Sequence, residues 1–254
     1  MIRRLVACGA LVLLAACSAS PTPAAPTATV TPKDQPALTS EKCADLIVLG
    51  ARGSDQSATK NFGSGTEVRR SVTAMAQKLH QRSDTTVRLV GIPYPAASGP
   101  AYTANVLTGV ASARKLLTSL GKQCRSSRFA LVGFSQGAQI VHGTALELTP
   151  RQIERVVLVA MISDPRRNPD DKIAYWLYDE STPGPGKLGA GTPIPKALRP
   201  KAITFCARTD EICNWPPGGY SGHLSDTHRH FYETPEHAAQ TGEQLDEILR
   251  ANDF

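Results

Sequence analysis

No stretch of this 254-residue chain is apolar for long enough to span a bilayer, which takes about 20 residues. The run at residues 5–16 (LVACGALVLLAA) stops short of that length. Dense cationic blocks are also missing, and the net charge is a mild +6, so nucleic acid is not an expected partner. There is no C-x₂-C pair, and Cys206 and Cys213 are spaced C-x₆-C, a poor zinc pattern. Neither a metal nor a cofactor is expected. No internal repeat recurs, which sets aside solenoids and propellers. With 41% hydrophobic and 20% charged residues, what remains is an ordinary globular chain long enough to bury a core.

The N-terminus has its own pattern. Arg3 and Arg4 precede the short apolar run, which fits a signal-peptide h-region. The run ends in Leu14-Ala15-Ala16-Cys17, which resembles the bacterial lipobox. That resemblance implies cleavage before Cys17, its lipidation, and membrane anchoring through acyl chains at about 0.8 kcal/mol per buried CH₂. The plainer alternative is a secretory signal cleaved after small residues. Residues 18–40 are rich in Pro, Thr, Ala and Ser and bury too little apolar surface to order themselves. The expected organisation is therefore signal peptide 1–17, flexible linker 18–40 and catalytic domain 41–254, in an exported monomer. Four cysteines then remain: Cys43, Cys124, Cys206 and Cys213. They allow three pairings, and an oxidising compartment favours disulfides.

From residue 41 the chain alternates short apolar runs with segments of helical period. Runs at 45–50, 86–92, 129–132, 156–161 and 202–206 predict five strands. Val68, Val72, Met75, Ala76 and Leu79 predict one helix, and Val106, Val110, Ala113, Leu117 and Leu120 a second. A third is expected over 136–148, and a last one opens at Thr234-Pro235. This is an α/β pattern: a five-stranded parallel sheet with helices on both faces. Residues 164–200 interrupt it with Pro and Gly, and long irregular loops in compact domains are usually functional. Leu188, Ile194 and Leu198 in that loop are candidates for an acyl groove.

Gly133-Phe134-Ser135-Gln136-Gly137 fits G-x-S-x-G. Chance supplies that motif about 0.1 times in such a chain, so context must decide. Here it follows a predicted strand and opens a predicted helix, as a nucleophile elbow requires. The amide of Gln136 and the helix dipole can then face an oxyanion. A serine hydroxyl needs a base, and the base an orienting acid. Asp164 and Asp210 follow predicted strands. His223, His228 and His230 follow both, and His237 falls within the last helix. His80 and His142 are expected at the surface or the core edge.

The motifs together resemble the cutinase family. Ala51-Arg-Gly-Ser54, the elbow, and Cys206-Ala-Arg-Thr-Asp210-Glu-Ile-Cys213 occur in that family's order, and the resemblance runs from residue 43 to about 250. It implies an α/β-hydrolase-like three-layer sandwich and ester hydrolysis at a serine. It implies Ser135 as nucleophile, Asp210 as acid, Ser54 and Gln136 as oxyanion donors, and the disulfides Cys43–Cys124 and Cys206–Cys213. Asp164 is left with a structural role in a strand-end turn. The family's histidine stands before an aromatic, H-x-x-[YF], about thirteen residues after the acid. His223 matches the distance, and His228-Arg-His-Phe231 matches the aromatic. His228 is preferred; His223 and His230 stay open. Expected substrates are lipid or other acyl esters of medium chain length. The competing expectations are a catalytically silent lipid- or glycan-binding lipoprotein on the same fold, a serine peptidase and an acyltransferase.

Overall fold

Two side-chain periods set the layering of the sheet. On β1 (Leu46–Ala51), Leu46 and Val48 join one core cluster, while Ile47 and Leu49 join the other. On β3 (Arg128–Phe134), Ala130 and Val132 face the first cluster, Phe129 and Leu131 the second. Successive strand residues point to opposite faces, so strands that are apolar throughout are covered on both sides. α1 (Thr66–His80) covers the first face with Val68, Val72, Met75, Ala76 and Leu79, beside Leu245 and Leu249 of α5 (Pro235–Ala251). α2 (Tyr102–Gln123) and α3 (Gln136–Leu146) cover the second, through residues that include Val110, Leu117, Ile140 and Val141. Each helix thus buries one 3.6-period stripe.

This computed structural model describes residues 37–178, 184–219 and 224–254. The expected signal peptide, with Cys17 and most of the linker, lies outside the described residues. Among those described, no helix is long and apolar enough to cross a membrane.

The sheet has six parallel strands rather than the expected five. β2 (Val87–Gly91), β4 (Val156–Ile162), β5 (Ala174–Trp176) and β6 (Ala202–Phe205) complete the order β2-β1-β3-β4-β6-β5. β5 is the extra strand. It has three residues, of which Ala174 and Tyr175 are exposed. No apolar run marks it, because its order comes from pairing with the open edge of β6. A short helix follows that the sequence pattern does not mark. α4 (Pro150–Arg155) starts at a Thr149–Gln152 capping box, and α3 accordingly ends at Leu146, not 148. Ile194 and Leu198 correct another expectation: both are fully buried in the core and line no groove.

The strand order reverses between β1 and β3, which go to β2 on one side and β4 on the other. Open α/β sheets bind ligands at that point, outside the carboxyl ends of the strands. Both disulfides of the expected pairing are present. Cys43–Cys124 ties the segment before β1 to the end of α2, and Cys206–Cys213 closes the loop after β6.

Candidate active site

Ser135 sits between β3 and α3 with φ 54° and ψ −118°, a strained conformation for a residue with a Cβ. Its amide donates to the Ile162 carbonyl on β4 at 2.9 Å, which anchors the turn. Both glycines of the motif are forced by close backbone approach. A Cβ on Gly133 would lie 2.2 Å from the Gly137 carbonyl oxygen, and one on Gly137 would lie 2.1 Å from that of Ala51. The pentapeptide is therefore a built elbow rather than a coincidence of composition.

Two loops bring the expected partners to it. His228 lies in a single π-helical turn, Thr227–Phe231, just before α5; such turns recur at functional sites. Its Nε2 is 3.1 Å from Ser135 Oγ, and its Nδ1 is 3.0 Å from Asp210 Oδ1. The carboxylate selects the tautomer protonated at Nδ1, which leaves Nε2 to accept from the serine. Phe134 stacks on the imidazole, with ring centroids 5.1 Å apart. Asp210 is fully buried inside the Cys206–Cys213 loop. Burial works to raise its pKa. The hydrogen bond and charge of His228, together with Ser163 and Tyr232, outweigh burial and hold the carboxyl below the usual range. The structure thus brings Ser135, His228 and Asp210 together. His230 is apart, its side chain 67% exposed and facing Glu233. His223 lies outside the described residues.

The candidate oxyanion donors flank the same serine. Ser54 and Ser135 both line a cleft of about 760 Å³ with Phe134, Leu188, Ile212 and Leu224. Gln136 opens α3, where backbone N–H groups have no helical partner. Its side chain points away and reaches the carbonyls of Ala97 and Tyr102 at 3.4 and 3.5 Å. The loop that carries Ser54 is braced by Gln56. Gln56 Oε1 accepts from the Gly53 amide, and Nε2 donates to buried Glu67 on α1, both at 2.8 Å. Burial raises the pKa of Glu67, against the opposing pull of Gln56. Arg52 donates to the Tyr94 carbonyl and the Tyr94 hydroxyl to the Arg52 carbonyl, locking the start of the loop.

Two further side chains reach the site, Tyr232 and Ser163. Tyr232 donates to Asp210 Oδ2 at 2.6 Å, and Ser163 Oγ lies 3.0 Å from His228 Nδ1. Tyr232 had a signal, since an aromatic near the base was expected. The expected ring was Phe231, which instead stacks on His237. Ser163, at the end of β4 with φ 55°, had none.

His142 corrects the expectation of a surface or core-edge residue. It is buried on α3 and places Nδ1 2.7 Å from Asp164 Oδ2 and Nε2 2.8 Å from the Thr192 carbonyl. Two acceptors need two ring protons, so the imidazolium form fits. Burial alone would lower its pKa; Asp164 and Thr192 outweigh it and raise the value to about 9. Asp164 still makes its turn, accepting from the Arg166 amide at 2.9 Å, and through His142 it and Thr192 are clamped to α3. A raised folded pKa stabilises below the unfolded value near 6.5 and loses that contribution as pH rises towards 9. The difference in unfolding free energy between wild type and His142→Gln should therefore shrink by on the order of 2–3 kcal/mol between pH 6 and 9.5. Urea titrations at both pH values measure it, and a constant difference would show a neutral ring.

Known proteins of similar sequence and structure fit this geometry. The profile of the cutinase family matches residues 42–241. An acetylxylan esterase of Hypocrea jecorina is 26% identical over 206 residues, covering 73% of this chain and 64% of that protein. Carboxylesterase Culp1 of Mycobacterium tuberculosis is 25% identical over 185 residues, covering 73% and 75%. Among solved structures, a cutinase-like protein from Cryptococcus sp. superposes with TM-score 0.64 at 16% identity, covering 84% of this chain and 98% of the other. The catalytic core of the Trichoderma reesei acetyl xylan esterase gives 0.61 at 22%, covering 83% and 99%. At those identities the structural matches speak for the fold alone. The family profile extends over most of the chain, and the chain belongs to the cutinase family.

Proposed function

We propose that the chain hydrolyses carboxylic esters through an acyl-enzyme on Ser135. The observation that carries this reading is the unbroken path Ser135–His228–Asp210, with contacts of 3.1 and 3.0 Å, opening into the cleft. The Ser135 proton passes to His228 Nε2 as Oγ attacks the ester carbonyl. Ser54 and the Gln136 amide hold the developing oxyanion, where each such donor is worth about 2.7–4 kcal/mol. The C–O bond to the alcohol then breaks, and His228 returns its proton to the leaving oxygen. Water repeats the sequence on the acyl carbon, releasing the acid and restoring Ser135. Asp210, held ionised, stabilises the imidazolium in both halves.

The substrate proposed is a lipid or other acyl ester of medium chain. Phe134, Ile212, Leu188 and Leu224 give the cleft an apolar lining, whereas acetyl esters would leave most of it unfilled. Two disulfides suit export to an oxidising compartment. The basic start, the apolar run and Cys17 support a signal peptide at residues 1–17, a linker at 18–40 and a lipid anchor at Cys17.

A fluorophosphonate probe and a panel of p-nitrophenyl esters from C2 to C16 test the reading together. We expect stoichiometric labelling of the folded protein at Ser135 and kcat/KM greatest for acyl chains of about six to ten carbons. Absence of labelling would leave a silent binding protein on the same fold. An optimum at C2 would retain the mechanism and overturn the substrate.

A further inference from the structure

The end of the sheet opposite the cleft holds a second cavity, of about 650 Å³. Its wall includes Lys122 on α2, Arg125 just beyond it, and Arg151 and Arg155 on α4, with Phe129 of β3 among them. Four cations and no acid line it. Arg155 is committed to the fold. It donates to the carbonyls of Gly121, Cys124 and Ser127 at 2.7, 2.6 and 2.6 Å and lies over the Phe129 ring. Burial lowers its pKa, and the charges of Arg128 and Arg151 lower it further. The other three are exposed and, among the described residues, enter no ion pair and no side-chain hydrogen bond. Glu154, the acid on α4, bridges none of them.

This is also the end where the described chain begins. Thr39 pairs with Val87 at the start of β2, and Cys43 is bonded to Cys124, the residue before Arg125. Cys17 therefore precedes the cationic end by only about twenty residues of Pro/Thr/Ala-rich chain. Fully extended, a chain of that length spans no more than about 70 Å. An N-terminus lipidated at Cys17, as the lipobox resemblance implies, and within that reach favours a lipid surface over a soluble polyanion as the occupant.

We propose that this cationic pocket seats the phosphate-bearing headgroups of an anionic lipid surface. The domain then stands on that surface with its cleft facing away. β3 and β4, of seven residues each, separate the two ends by roughly 20 Å, so the ester reaches Ser135 from the solvent side. The docking is independent of the ester chemistry at the other end.

Sedimentation with vesicles tests it, using the full chain carrying Cys17→Ser. Vesicles of phosphatidylcholine alone are compared with equimolar phosphatidylglycerol and phosphatidylcholine. The readout is the ratio of the two partition coefficients. The N-terminus, with Arg3 and Arg4 beside its apolar run, is common to every variant, so the change in the ratio between variants reports the pocket. Each Lys or Arg at an anionic surface contributes about fivefold in binding. Arg125→Gln/Arg151→Gln should therefore lower the ratio about 25-fold, with the thermal unfolding midpoint and solution activity unchanged. Lys60→Gln/Lys187→Gln, which removes equal charge from exposed sites at the cleft end, should leave the ratio within about twofold. Equal falls in both variants, or a parent ratio near one, would overturn the proposal. So would Arg125- and Arg151-dependent binding to polygalacturonate without any to the anionic vesicles, which would assign the pocket to an acidic polysaccharide.

Discussion

Ser135→Ala should lower kcat for ester hydrolysis by about 10⁵–10⁶-fold while leaving the protein folded. The change deletes one oxygen, and alanine keeps the Cβ that the turn at φ 54° already tolerates, so it adds no backbone strain. His228 loses a partner at 3.1 Å but keeps Asp210, and stability should move by about 1 kcal/mol or less. What disappears is the covalent route. The donors at Ser54 and Gln136 would still stabilise attack by water, which is why a residual rate above the uncatalysed reaction is expected. Initial rates on p-nitrophenyl octanoate, with thermal unfolding as the folding control, measure the effect. A variant that kept a few per cent of wild-type activity would place the nucleophile elsewhere, and loss of probe labelling in the same sample would guard against a contaminating esterase.

The elbow was legible in the sequence because close packing dictates its glycines: Gly133 and Gly137 sit where any side chain would strike backbone. The layers were legible because β1, β3 and β4 are buried on both faces and their helices on one stripe. β5 was not, since three residues borrow their order from β6 and carry no burial pattern of their own. The choice among histidines was only partly legible. His228 and Asp210 meet through the fold of two loops, and loop geometry has no period to read. Ser163 and the His142–Asp164 pair escaped for a related reason. Their partners lie 65 and 22 residues away along the chain, and a lone polar residue gives no sign of which distant group satisfies it. Ile194 and Leu198 misled in the opposite sense: in a Pro- and Gly-rich loop they suggested a groove, yet each anchors that loop in the core.

His228→Ala should cost about as much as loss of the serine, roughly 10⁵–10⁶ in kcat, and Asp210→Asn about 10⁴. The asymmetry follows from their roles. Without His228 nothing near Ser135 takes its proton. With an amide in place of the Asp210 carboxylate, the histidine keeps a hydrogen-bond partner. It loses the charge that favours the imidazolium and the tautomer that leaves Nε2 free. His230→Ala should stay within about threefold of wild type, because that ring is exposed and faces Glu233. His223→Ala should do likewise. Single variants alone cannot separate a shared proton path from three independent contributions, but a double variant can. If Ser135 and His228 act as one unit, Ser135→Ala/His228→Ala should be no slower than either single change, since the second substitution removes a group with nothing left to do. Multiplying losses, seen as a further drop of several hundredfold in the double variant, would mean that His228 acts on the ester or on water without Ser135. Such a result would replace the acyl-enzyme with direct general-base hydrolysis in the same cleft.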